Sequence, residues 1–348
     1  MRPYAFLLYP FAVLYNLITK VRNWFFDLGW LERTKSPLKS ILVGNLSIGG
    51  TGKTPMVEYL ISKVKSRQKT ATLSRGYGRK TSGFLKAKRG VLPSDIGDEP
   101  YQIFSKFGKE ISVFVGEKRV EALNSIALNF PENELVILDD AFQHRYVQVD
   151  STILLTTFDQ PFYSDFLLPM GRLRESRRGA QRADLIVVTK CPLGILESEK
   201  IEMIKKIRKY NKVAPILSST IGYGQPYPIG KESTFSQQVI LLSGIANDEQ
   251  LKKYVSANFN LLETLKYPDH HEYSLSDFDK IKDIYDTYSE RSPIIITTEK
   301  DAVKVKSSSP SGFLEEIPIF VLPIQVVFSQ EDERFMESFI DQVILQKK

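Results

Sequence analysis

The chain has 348 residues, 42% of them hydrophobic and 25% charged, which is ordinary for a globular protein of about two domains. A formal net charge of +6 suits an anionic surface or substrate, and the absence of a dense Lys/Arg block or an RNA- or DNA-binding motif argues against nucleic acid. One cysteine, Cys191, excludes an internal disulfide and points to a reducing compartment, and with histidines only at 144, 270 and 271 a structural zinc site is not expected.

Residues 4–15 (YAFLLYPFAVLY) are almost all apolar. No small-residue cleavage site follows them, and Pro10, Asn16 and Lys20 stop the run short of the roughly 20 apolar residues of a membrane span. The continuation reads as an amphipathic helix: Asn16, Lys20, Asn23 and Asp27 share one face, and Leu14, Ile18, Val21, Phe25 and Leu28 the other. Trp24, Phe26 and Trp30, with Arg2, Lys20, Arg22, Arg33, Lys35 and Lys39, add the aromatics and cations of a membrane interface. Interfacial docking is the expectation, with a helix packed on the core or a partner, and a true span, as the other readings.

KSILVGNL then reads as a buried strand, and the turn SIGGTGKTP leads into a helix over PMVEYLISKVKSR. Further apolar strands are expected at 70–75, 111–116, 134–140, 151–157 and 184–190, with helices or loops between them. That alternation predicts a mostly parallel sheet with helices on both faces, whose ligands sit beyond the carboxyl ends of the strands. Residues 218–236, rich in Gly, Pro and Ser, read as a linker to a second α/β unit that begins at QVILLSGIAN. IPIFVLPIQVVF is a closing strand-like run that can return to the linker.

Strand, glycine-rich turn and helix, with Gly52-Lys53-Thr54 at the junction, form a phosphate-binding arrangement. Ser47, Ile48, Gly49, Gly50, Thr51, Gly52, Lys53 and Thr54 are the nucleotide-binding candidates, although Ser47 stands where the usual pattern has its first glycine. ELVILDD ends in Asp139 and Asp140, where such a fold keeps its magnesium-associated carboxylate, so Thr54 and Asp139 are the expected Mg²⁺ ligands. Arg75, Arg119 and Arg174 are candidates to clamp phosphates bidentately, against the alternative of ordinary surface arginines. The run Arg172, Arg174, Arg177, Arg178 and Arg182 faces an acidic lipid or substrate phosphate, or is a solvated helix face.

The motifs VGNLSIGGTGKTP, SRGYGRK, GDEP, LDDAFQH, LLPMGRLRE, PDHHEY and TTEKDAVK, in this order, resemble the tetraacyldisaccharide 4′-kinase family, the lipid A 4′-kinases. That family also carries a hydroxyl residue at the position of Ser47. The resemblance implies transfer of the ATP γ-phosphate to the 4′-hydroxyl of an acylated glucosamine disaccharide 1-phosphate on the cytoplasmic face of the inner membrane. It implies a docking helix (1–35), a P-loop kinase core (36–217), a two-stranded linker (218–236) and a smaller α/β domain (237–348) closing over the nucleotide. ATP and Mg²⁺ are the implied cofactors. The lipid-linked disaccharide and an anionic membrane surface are the implied partners, with no nucleic acid and no obligate protein partner.

By the same resemblance Asp98 is the base, paired with His270 from the second domain, and Lys53, Asp139, Asp140 and Arg174 complete the catalytic set. Asn45, Glu99, Gln143, His144 and Glu175 join Arg75 and Arg119 as substrate-touching or orienting groups. TTEKDAVK is either a helix N-terminus meeting the nucleotide or a capped helix start. Two rivals are a partition-type ATPase and a membrane-docked nucleotide switch. The first normally has a Lys just before the glycine pair, where this chain has Ile48, and the second would have no use for GDEP or PDHHEY.

Overall fold

The computed structural model describes residues 5–230, 233–245, 247–269 and 271–345. A 3₁₀ turn, Ala5–Leu8, leads into α1 (Tyr9–Asp27), which carries Pro10 in its first turn, where a missing N–H costs nothing. β1 (Thr34–Lys35) and the buried β2 (Lys39–Asn45) precede the glycine-rich turn and α2 (Lys53–Val64). Then come β3 (Thr70–Ser74), β4 (Leu85–Lys86), α3 (Pro93–Ile96), α4 (Asp98–Phe107), β5 (Ser112–Val115), α5 (Arg119–Asn129) and β6 (Leu135–Asp139). β7 (Val147–Gln148), β8 (Ser151–Thr157), β9 (Leu185–Thr189), α6 (Glu197–Arg208) and β10 (Ile216–Tyr223) follow. The remainder runs β11 (Tyr227–Ile229), β12 (Gln238–Ser243), α7 (Glu249–Asn258), β13 (Asn260–Lys266), α8 (Leu275–Thr287), β14 (Ile294–Thr297) and α9 (Glu299–Ser308). It ends with α10 (Phe313–Glu316), β15 (Ile319–Val321), β16 (Ile324–Phe328) and α11 (Gln330–Leu345).

Among the described residues the strands make a nine-stranded sheet, β16-β10-β9-β8-β2-β6-β3-β5-β4, a five-stranded sheet, β11-β15-β14-β12-β13, and the β1–β7 pair. The first sheet is parallel from β10 to β5, with antiparallel β16 and β4 at its edges. β2 lies near its centre between β8 and β6, so the turn after β2 opens above the middle of the sheet, next to the end of β6. Successive β2 residues point to opposite faces: Ile41 and Val43 pack with the α2 side chains Met56, Val57, Leu60 and Ile61, whereas Leu42 packs with Leu123 and Ile126 of α5. Both faces are thus covered, as the near-continuous Val/Ile/Leu strands require.

Two sequence expectations are revised. The stretch read as a linker builds most of β10 and all of β11, because its alternating residues find partners far away in sequence: β10 pairs antiparallel with β16, and β11 with β15. The run IPIFVLPIQVVF does return to that stretch, and it breaks at Pro323, so that β15 pairs with β11 in the five-stranded sheet and β16 with β10 in the nine-stranded one. Finally, α11, assigned to the second unit on sequence, buries Met336, Ile340 and Val343 in the same cluster as α2 and β2.

α1 lies on the first unit through a stripe that takes in Asn23 and Asp27 of the expected polar face together with Ala12, Tyr15 and Phe26. Ala12 and Phe26 are buried, the Tyr15 hydroxyl donates to the Arg174 carbonyl (2.7 Å), and Arg145 pairs with Asp27 (2.5 Å) while Phe26 meets Tyr146 edge-on. Leu14, Ile18, Val21, Trp24, Leu28 and Trp30 stay exposed. Among the described residues no helix is long and apolar enough to cross a membrane.

Candidate active site

Positive backbone φ at Gly49 (+99°) and Gly52 (+83°) lets the turn after β2 double back and cap α2 with backbone alone. Asn45, wholly buried at the end of β2, organises this loop: its Nδ2 donates to the Ser47 carbonyl (2.7 Å) and to the Thr51 hydroxyl (2.8 Å). Thr189, at the end of β9, donates to the Thr51 carbonyl (2.8 Å) from the other side. The result is a fixed ring of backbone at the N-terminus of a 12-residue helix, where N–H groups and the helix dipole favour an anion. Ser47 is buried off the cleft wall, whereas Ile48 to Thr54 line it, with the Ile48 N–H committed to the Arg172 carbonyl (2.7 Å) and the Thr51 N–H to the Gly49 carbonyl (2.9 Å).

Lys53 opens α2 and reaches back over the loop, 3.5 Å from Asn45 Oδ1 and 3.8 Å from Asp140 Oδ1. Asp140 sits in the left-handed region (φ 49°) just past β6 and takes Arg174 in a forked pair, at 2.6 and 3.1 Å, while the same guanidinium also bonds Asn45 Oδ1. Burial by itself would raise the Asp140 pKa, but Lys53 and Arg174 outweigh it and hold the carboxyl below its usual range. Asp139, fully buried one residue earlier, goes the other way. Burial, Glu99 and Asp140 push it up to about 7, against the pull of Lys53 and Arg119. Its Oδ1 has no hydrogen-bond partner among the described residues. An orphaned buried carboxylate oxygen beside the Thr54 loop fits a hard cation, which takes one or two protein oxygens and fills its shell with phosphate and water. Consistent with so sparse a donor set, no cluster of three or more His, Cys, Asp or Glu is present among the described residues.

The GDEP and SRGYGRK motifs meet through their glycines. A β-carbon on Gly97 (φ +92°) would lie 2.8 Å from the Tyr77 carbonyl, and one on Gly76 (φ +70°) 2.7 Å from the Ile96 carbonyl. Only two bare backbones pack this closely, and the contact brings Arg75 and Asp98 onto one wall. Asp98 begins α4, and the Lys304 ammonium of α9 lies 3.6 Å from its Oδ2 while donating to the His271 carbonyl (3.0 Å).

A single cleft of about 1670 Å³ is lined by the Gly49–Thr54 loop, Arg75, Asp98, Glu99, Asp139, Asp140, Gln143, His144, Arg174 and Glu175. It is larger than a typical small-ligand pocket and leaves space for a second substrate beside a nucleotide. On that wall, Gln143 donates to the Asn45 carbonyl (2.9 Å) and to Glu175 (3.2 Å), and Arg182 also donates to Glu175 (2.8 Å), so the Glu175 carboxylate is held from two sides. Burial, with Arg119 and Arg75 nearby, lowers the His144 pKa to about 4 and keeps that ring neutral. Arg119 is buried off the cleft wall, where its charge bears on Asp139 and Asp140, so a direct clamp on phosphate is not its position here. His270 lies outside the described residues. Its neighbour His271 stacks on Tyr267 and bonds Asp277 (3.0 Å).

Two groups of cleft residues lay beyond the sequence reading. Tyr15, Thr19, Arg22 and Asn23 of α1 line the cleft mouth, with Arg22 donating to the Gln143 carbonyl (2.6 Å). Asn23 belongs to the polar face read from the sequence and Arg22 was named as an interfacial cation, but neither was placed at the cleft. Lys304 sits in a recognised motif, but its approach to Asp98 depends on the packing of two helices distant in sequence.

The family model for tetraacyldisaccharide-1-P 4′-kinase matches residues 4–344. The tetraacyldisaccharide 4′-kinase of Flavobacterium johnsoniae is 38% identical over 97% of this chain and 96% of its own length. That of Flavobacterium psychrophilum is 39% identical, with the same coverage of both. The crystal structure of LpxK from Aquifex aeolicus in complex with ATP superposes with a TM-score of 0.75 at 30% identity, covering 97% of this chain and 99% of the other.

Proposed function

Because the chain belongs to the tetraacyldisaccharide-1-P 4′-kinase family, we infer that it transfers the γ-phosphate of ATP to the 4′-hydroxyl of a tetraacylated glucosamine disaccharide 1-phosphate. It is a kinase of lipid A biosynthesis. One observation carries the reading of the site: the glycine-rich loop with Lys53, and the Asp98 carboxylate, open onto the same cleft, whose mouth is lined by α1.

In this reading the Gly49–Thr54 amides and Lys53 hold the triphosphate, and Arg174 fixes Asp140 beside it. Asp98 accepts the proton of the sugar hydroxyl as the new P–O bond forms and the bond to the β-phosphate oxygen breaks, releasing ADP. His270 is the partner that the family resemblance gives Asp98. Thr54 and Asp139 would hold Mg²⁺, which when bound neutralises charge on the β and γ oxygens. The fold supporting this is a P-loop-type core, with the five-stranded sheet as the closing unit and β10 and β16 as the two connecting strands.

Labelled ATP incubated with the acylated disaccharide 1-phosphate in detergent tests the assignment. Label is expected at the 4′ position of the lipid and little on water. ATP turnover that ignores the lipid and responds to DNA or a protein partner would instead favour the partition-type ATPase reading.

Metal dependence offers a second test. Asp139 is protonated below about pH 7 and must lose that proton to bind a cation. Apparent Mg²⁺ affinity is therefore expected to weaken up to about tenfold per pH unit below 7 and to level off above it. A Mg²⁺ titration with the same midpoint at pH 6 and pH 8 would remove Asp139 from the ligand set.

The exposed Leu14, Ile18 and Val21 of α1, with Trp24 and Trp30, support docking in the plane of an anionic bilayer, with the cleft facing the ATP-containing, cytoplasmic side of the inner membrane. The triple change Leu14→Glu, Ile18→Glu and Val21→Glu leaves the Tyr15–Arg22 wall in place. It is expected to lower binding to phosphatidylglycerol-containing vesicles by at least about tenfold in a sedimentation assay. Unchanged sedimentation would mean that α1 does not dock.

A further inference from the structure

One face of α4 carries three polar residues a helical turn apart: Asp98, Gln102 and Lys106. Asp98 is the proposed base, and Lys304 of α9 approaches it to 3.6 Å. Gln102 also lines the cleft, whereas Lys106, a turn further on, does not, and both are engaged. Gln102 donates to Glu58 Oε1 of α2 (2.7 Å). Lys106 pairs with both Glu58 Oε2 (2.5 Å) and Glu299 Oε1 of α9 (2.8 Å). Glu58 and Glu299 have side chains only 7% exposed each.

The cluster therefore ties three elements with separate tasks: the helix that presents the phosphate loop, the helix that presents Asp98, and the first turn of the helix that the second α/β unit lays against both. α4 and α9 run antiparallel, the base end of α4 against Lys304 and its Lys106 end against Glu299, so the two ion contacts set one register. A buried pair is a poor source of net stability, because desolvation offsets its attraction, but a slipped register would leave a buried carboxylate without its cation. Burial and the neighbouring Glu299 raise the Glu58 pKa, while Lys106, itself opposed by burial, is raised by the two carboxylates.

We propose that Glu58, Lys106 and Glu299 are positioning residues: a charged latch between the two α/β units that fixes Asp98 at a set distance from the phosphate loop. The latch rests on the kinase reading above only for its rate readout.

Lys106→Met alone leaves two buried carboxylates facing each other and risks misfolding. The neutral triple variant Glu58→Gln, Lys106→Met, Glu299→Gln leaves no uncompensated charge and should melt near the wild-type temperature. Because a misplacement of about 1 Å costs up to 10²-fold, its kcat is expected to fall about 10- to 10²-fold with KM for ATP little changed. Lys106→Arg, which keeps the cation, should retain most of the rate. Independently of activity, hydrogen exchange in peptides covering 98–107 and 299–308 should speed up in the triple variant, with or without ATP. A triple variant with wild-type kcat, or with wild-type exchange in both peptides, overturns the proposal. A wild-type protein that transfers nothing to the lipid refutes the kinase reading instead, and the exchange measurement still decides the latch.

Discussion

Replacing Asp98 with asparagine is expected to lower kcat for phosphate transfer by about 10²–10⁴-fold while changing KM for ATP little, the usual worth of a positioned general base. The amide keeps the shape of the carboxylate and its place at the start of α4, but it cannot take the hydroxyl proton. Residue 98 is the first helical position, after the N-cap Gly97, so the change removes only one charge from the first turn and α4 should stay formed. Lys304 loses its charged neighbour and still donates to the His271 carbonyl, so it is not stranded. The Gly49–Thr54 loop is held by Asn45 and Thr189, neither of which depends on Asp98, so nucleotide binding should persist. Initial rates of label transfer, with ATP affinity measured separately, check both halves. A variant within about threefold of the wild-type rate would take Asp98 out of the proton path.

What could be read in advance divides along physical lines. β2, β6, β8 and β9 lie within a residue or two of their expected positions, because a strand buried on both faces must be a short continuous apolar run and little else has that form. The tight turn between β2 and α2 was legible for a similar reason: Gly49 and Gly52 take the positive φ that such a turn needs. The failures concern partners rather than elements. Residues 218–236 carry turn-forming Gly and Pro, and although the closing run was expected to return to them, nothing local says that Ile216–Tyr223 will be a full strand of the nine-stranded sheet. The amphipathic pattern of α11 shows that it must bury one face but not against which sheet. α1 has two usable stripes, and its docking was decided by Phe26 fitting against Tyr146 and Arg145. Arg119 was read as a candidate phosphate clamp because a guanidinium matches phosphate oxygens, yet as the first residue of α5 it is buried, where its charge bears on the two aspartates.

Lys53→Met should be the most damaging conservative change in the loop, with kcat/KM for ATP falling on the order of 10³-fold. Methionine keeps nearly the length and volume of the lysine stem, so α2 should pack as before. Asp140 retains its forked pair with Arg174, so that carboxylate is not left without a partner. The loss is then electrostatic. In the structure Lys53 is held only loosely, at 3.5 Å from Asn45 and 3.8 Å from Asp140, geometry from which an ammonium can shift to phosphate oxygens at little cost. Backbone N–H groups of the loop can bind a triphosphate without it, so ATP affinity should drop less than turnover does. Charge that migrates toward the β–γ bridge as that bond breaks meets the lysine more strongly than the ground state does, and interactions of that kind set kcat. Loss of the Lys53 charge also removes one of the groups holding the Asp140 pKa down, so that carboxyl should titrate higher in the variant. Rates of lipid labelling across ATP concentrations, set beside equilibrium ATP binding, separate the two effects. If both fall by the same factor, Lys53 acts in binding alone, and if neither falls, the loop after β2 is not where the phosphates lie.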